Sequence, residues 1–144
     1  MAFRGSFDYS LDAKNRLTVP AKFRAELSGG VVLAKGLERN VDIWVPDAYD
    51  AVVERSLQGL NPMSSDARRM RLWFSANAFD TELDSAGRVQ LPAALIEHAG
   101  LRKEVVVTGA SESLQVWDRR SWQDFNSDLT GEIAGITERL GHPG

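Results

Sequence analysis

The chain has 144 residues, is 43% hydrophobic with four tryptophans, and carries a formal net charge of −3. That composition predicts a folded core and excludes a disordered polymer, and a chain without cysteine has neither disulfides nor thiolate metal sites. No uncharged apolar run approaches the roughly 18 residues of a membrane helix, and "MAFRGSFDYS" has no apolar leader segment, so a soluble cytoplasmic protein is expected.

In chain order, "FDYSL" reads as a short strand and "DAKN" as a turn, in which Asp12 bonds its own backbone and Asn15 accepts a left-handed conformation. "RLTV" alternates with period two and is a strand. Pro20 ends it and opens a short helix, "AKFRAEL". "VVLA" and the segment around Trp44 are strands. A helix over 47–58 follows, with an extension over 64–74, interrupted by Gly59 and Pro62 in "GLNPMSS". The order then begins again: "FDTEL", the turn "DSAG" closed by Gly87, "RVQL", Pro92, and "AALIEHAG", where Gly100 is placed to end a helix. "EVVVTG", a strand at Trp117 and a helix over 119–140 complete the chain.

Residues 7–23 laid on 79–95 give seven identities in 17 gapless positions, among them Asp12 with Asp84, Arg16 with Arg88 and Pro20 with Pro92. Unrelated segments give roughly one, so the chain is an internal duplication. Trp44 falls on Trp117 after a one-residue insertion. Four short strands enclose little core alone. The expected fold is therefore mixed α/β, a mainly β core with flanking helices, in which halves 1–75 and 76–144 interlock as one pseudo-two-fold β-barrel. Trp44 and Trp117 read as core. Val52, Val53, Leu57, Leu72, Trp73, Trp122 and Phe125 on the long helices read as packing against a neighbour.

The matched arginines carry the functional reading. With Leu17 and Val19 inward, Arg16 and Thr18 point outward, and Val89 and Leu91 set Arg88 and Gln90 outward in the same way. Each arginine follows a tight turn whose aspartate, Asp12 or Asp84, holds the guanidinium or braces the turn. A projecting guanidinium suits a phosphate or a guanine edge. Lys14 adds charge that its counterpart Ala86 does not. Charge is also polarised: residues 1–24, which include Arg4, balance to +3, and residues 110–144 to −3.

"FRGSFDYSLDAKNRLTVPAKFR", "FDTELDSAGRVQLPAALIEHAGL" and "VVVTGASESLQVWD" together resemble the MraZ family of bacterial transcriptional regulators, whose halves are similar to the AbrB-type swapped-hairpin domain. The likeness covers almost the whole chain. Asn15 departs from the glycine that family members often place before the first arginine, and keeps a residue tolerant of a left-handed backbone. The resemblance implies a nucleoid-associated regulator of its own promoter and of a division and cell-wall gene cluster, bound to repeated boxes in double-stranded promoter DNA. It also implies a ring-like homo-oligomer, with Arg16 and Arg88 as leading DNA contacts and Lys14 and Arg4 assisting.

An enzyme finds little support. His98 and His142 have no partner at metal or triad spacing, and His98 reads as a cap or surface residue. The Asp8–Asp12 and Asp80–Asp84 pairs lack a nucleophile or cofactor loop, and Gly29–Gly30 is not framed as a phosphate cradle. No catalytic residue, metal or cofactor is expected. The alternative is a non-catalytic protein-binding module of antitoxin-like type. Against it, Leu129, Ile133, Ile136 and Leu140 at helical spacing make the C-terminal third an ordered helix rather than a wrapping tail. An RNA-binding sheet interleaved with exposed aromatics is not evident.

Overall fold

The computed structural model describes residues 2–141; His142 lies outside the described residues. Strand β1 (Ser6–Ser10) alternates exposed Ser6, Asp8 and Ser10 with half-buried Phe7 and Tyr9. After the first turn come β2 (Arg16–Thr18), β3 (Val31–Lys35) and β4 (Val41–Trp44). Helices α1 (Pro46–Leu57) and α2 (Ser65–Ala76) lead to the second copy. That copy has β5 (Ala78–Thr81), β6 (Arg88–Gln90), α3 (Ala93–Ala99), β7 (Glu104–Gly109), β8 (Leu114–Asp118) and α4 (Arg119–Gly141).

The copies exchange strands. One antiparallel sheet has the order β1-β7-β8-β4-β3-β5, so each copy's first strand pairs with the other copy's third. At its centre β4 meets β8, with Asp42 opposite Gln115. A separate two-stranded ladder joins β2 to β6 with Leu17 opposite Val89. Both central pairs are equivalent residues facing each other, so the pseudo-two-fold axis runs through them. Exposed Asp8 and Asp80 on the edge strands discourage further pairing. The expected closed barrel is not seen as a continuous ladder: among the described residues the six-stranded sheet ends at β1 and β5.

Each sheet face is covered differently. Val31, Leu33, Val41, Ile43, Val105, Val107, Leu114 and Val116 form one core with Leu17, Val19, Val89, Leu91 and Leu95, so the short ladder lies over that face. The opposite face carries the tryptophans. Trp44 packs edge-on to Tyr49 of α1 at 5.8 Å, and Trp117 lies 4.6 Å from the Phe125 ring of α4. Cover on both faces explains why β3 and β7 are nearly continuous apolar runs rather than alternating ones. Asp42 is the one acidic side chain at the β4–β8 centre. Burial pushes its carboxyl up to about 6, against the Asn40 amide that donates to it at 2.7 Å. Its counterpart Gln115 is neutral and accepts from Trp117 Nε1 at 2.9 Å.

One expected element differs. Pro20 is followed by a 3₁₀ turn over Ala21–Phe23, not an α-helix. Val32 opposite Trp44 corresponds to Val106 opposite Trp117, so this connection is two residues shorter than the one containing α3. Phe23 must also reach Phe3 and Phe7, with ring centroids 5.2 and 6.0 Å away. In the longer copy α3 ends at Gly100, whose φ of 61° permits the left-handed cap. The expected helical extension over 64–74 follows the expected break at Gly59 and Pro62 as α2. Gly59 at φ 84° reverses the chain, and the Ser64 hydroxyl caps α2 by accepting from Ala67 N. Tyr49 Oη, early in α1, donates to the Phe74 carbonyl late in α2 at 2.9 Å, which makes the pair an antiparallel hairpin.

Candidate nucleic-acid interface

The two turns are built almost identically. Asp12 Oδ1 accepts the backbone N–H groups of Lys14 (2.9 Å) and Arg16 (2.8 Å), and its Oδ2 accepts Arg16 Nε at 2.6 Å. Asp84 Oδ1 accepts Ala86 and Arg88 N–H groups, and its Oδ2 accepts Arg88 Nε, all at 2.9 Å. The aspartates therefore do both things the sequence left open, shaping the turn and holding the guanidinium. The backbone N–H of the arginine, and then its side chain, hold each carboxyl below the usual aspartate range. Both stay anionic through neutral pH, and the bracing is lost only as pH falls below the usual aspartate range.

Asn15 at φ 58° and Gly87 at φ 77° occupy the left-handed position that closes each turn. Their carbonyls then reach across the axis: Asn15 O accepts Leu91 N at 3.0 Å, and Gly87 O accepts Val19 N at 2.9 Å. Each turn is tied to the other copy's strand, so the ladder and both turns form one hydrogen-bonded unit. Gly87 has a second constraint. A Cβ there would fall inside the Arg24 side chain, whose Nε donates to the Val19 carbonyl at 2.9 Å. Gly87→Val is expected to cost roughly 1–3 kcal/mol and misdirect Arg88, while Asn15→Gly leaves stability almost unchanged. Thermal denaturation of the two variants checks this; equal stability of Gly87→Val and the parent would refute it.

On the ladder, Arg16 stands opposite Gln90 and Arg88 opposite Thr18, so the arginines are diagonal neighbours on one outward face. Such neighbours are about 7–8 Å apart. Their side chains are 29% and 34% exposed, and among the described residues their terminal Nη groups have no protein acceptor. Exposed pairs like these contribute little to stability. What they supply is a fixed direction for two free guanidinium ends.

Lys14 is exposed in the first turn beside Arg16. Arg4 is elsewhere: it follows Phe3, which pairs with Ser111 at the tip of the β7–β8 hairpin, and all of β1 lies between it and the Asp12 turn. Three cations not singled out from sequence do adjoin the turns. Arg24 crosses Gly87, and Arg102 and Lys103 line a cleft with Asp12 and Asn15. Arg24 was visible only as part of a charge balance. Arg102 and Lys103 reach the first turn because β1 pairs with β7, which no local pattern announces. His98 joins α3 to the β3–β4 hairpin through Nε2 contacts to the Gly36 and Glu38 carbonyls at 3.0 and 3.1 Å.

Among the described residues there is no group of three or more His, Asp or Glu side chains suited to a metal ion, and no helix long and apolar enough to cross a membrane. Strand exchange between two copies and paired, aspartate-braced arginines on one ladder define a duplicated mixed α/β protein with two arginines on one outward face. The chain belongs to the MraZ family, whose model, described as "MraZ protein, putative antitoxin-like", matches residues 2–72 and again 74–140. It is similar to a protein named transcriptional regulator MraZ from Alkaliphilus oremlandii (strain OhILAs), 37% identical over an alignment of length 142 that covers 96% of this chain and 99% of that relative. A second protein of the same name, from Alkaliphilus metalliredigens (strain QYMF), matches with the same identity and coverage. Both relatives are named as regulators of transcription, not as enzymes.

Proposed function

We propose that the protein is a sequence-specific DNA-binding transcriptional regulator, acting in the cytoplasm at the nucleoid. In this reading it represses its own promoter and a division and cell-wall gene cluster by binding repeated promoter boxes. The observation that carries it is the two-fold-related pair Arg16 and Arg88, held by matching aspartates with their Nη groups free. A two-stranded ribbon fits the major groove, and the antiparallel register sets both arginines on one face of that ribbon, each beside its own turn. Lys14 adds a phosphate contact, and Arg4 assists from the far end of β1. The relatives' names support regulation of transcription.

The halves 1–75 and 76–144 act as one intertwined, barrel-like unit, and copies of that unit assemble into a ring. Exposed apolar side chains support assembly: Leu72 is 67% exposed, Ile133 50% and Leu140 83%, and no residue of α4 is buried. One chain brings few cations, so several chains engaging successive boxes bind far more strongly than one. Titrating duplexes with one box and then several, over a range of salt, tests the reading. Affinity should rise steeply with box number and fall with salt. Equal affinity for one box, several boxes and scrambled DNA would overturn it in favour of the antitoxin-like, protein-binding alternative.

A further inference from the structure

We propose that Lys103, with Arg102, forms a phosphate-gripping ridge beside the first turn, so that each chain holds the DNA backbone more firmly on one side of its box. This rests on the DNA-binding reading above. Leu11 N donates to the Lys103 carbonyl at 2.8 Å, which fixes the ridge against the segment entering the Asp12 turn. Arg102 and Lys103 separate two clefts of about 490 and 450 Å³, the first lined by Asp12, Ala13 and Asn15, the second by Arg119 and Arg120.

Arg102, like the two ladder arginines, is held by an aspartate, here through Nη2 as well as Nε. Its Nη2 and Nε donate to the Asp118 carboxylate at 3.0 and 3.3 Å. Asp118 is 4% exposed and the Arg102 side chain 68%, so the anion is held inside and the cation presents its outer edge. Lys103 makes no ion pair among the described residues, leaving its ammonium free for a phosphate oxygen. The duplication supplies the internal comparison. With β7 two residues further along than β3, Arg102 and Lys103 correspond to Ser28 and Gly29, which bring no charge to the second half. Arg16 and Arg88 are therefore matched, while the backbone grip is lopsided: Lys14, Arg102 and Lys103 adjoin the first turn, against Arg24 at the second.

The test uses the full chain with Lys103→Ala, Lys103→Glu and Lys103→Arg, titrated against multi-box and scrambled duplexes over a range of salt. Arg16→Ala runs beside them, and thermal denaturation checks each fold. Lys103→Ala should weaken both duplexes by the same factor, about threefold to tenfold, and lower the salt slope by about one per engaged chain. Lys103→Glu should weaken them further, and Lys103→Arg should restore parental binding. Parental affinity and slope in Lys103→Ala, or a loss confined to the specific duplex, would overturn the ridge while Arg16→Ala still reports the DNA reading. If Arg16→Ala also binds like the parent, both fall together.

Discussion

Replacing Arg16 and Arg88 together by alanine is expected to abolish preference for promoter boxes over scrambled DNA while leaving the fold intact. The fold survives because Asp12 Oδ1 and Asp84 Oδ1 still accept two backbone N–H groups each, and both aspartates remain accessible to water. What disappears is the outward Nη pair on each side of the axis. A bidentate contact to a base edge contributes about 1–3 kcal/mol of discrimination, so each single variant should relax selectivity by roughly 5- to 150-fold at one position. A contact to phosphate would weaken every sequence alike. Specific and scrambled duplexes titrated with the two single variants and the double variant separate these outcomes. Parental affinity and selectivity in the double variant would remove the ladder from the DNA interface.

Leu17→Ala should be the most destabilising change on the same ladder. Leu17 is fully buried, stands opposite Val89 on the pseudo-two-fold axis, and belongs to the core shared by both copies. Truncating a buried leucine costs about 2–5 kcal/mol because the removed atoms leave a cavity that neighbours only partly fill. In a chain of this size the melting temperature should drop by on the order of 10 °C. The expected consequence reaches both arginines at once, since Asn15 O and Gly87 O hold each turn to the opposite strand. Leu37→Ala, at a side chain 83% exposed between β3 and β4, is the control and should leave the melting temperature unchanged. Denaturation of the two variants decides the matter; a Leu17→Ala cost under about 0.5 kcal/mol, the range of an ordinary surface change, would place the axis elsewhere.

The features of the site legible in the amino-acid sequence are those made within a few residues. An Asp-x-x-x-Arg turn closes through bonds spanning two to four positions, and the left-handed residue before each arginine is chosen by its own backbone sterics. The Gly100 cap and the inward Leu17 and Val89 follow from the same short-range rules. Duplication added the pairing of Arg16 with Arg88, because two copies of one pattern fold alike locally. Pairing between copies was decided elsewhere. That β1 joins β7 and β5 joins β3, that α2 turns back on α1, and that the first connection is 3₁₀ all depend on which apolar faces can be covered together. Arg24 over Gly87 and Lys103 beside the Asp12 turn come from those same long-range pairings. Local patterns set the conformation of a turn because its hydrogen bonds close within it. Only the packed sheet decides which distant cation stands next to it, since that neighbour is chosen by burial of the whole core.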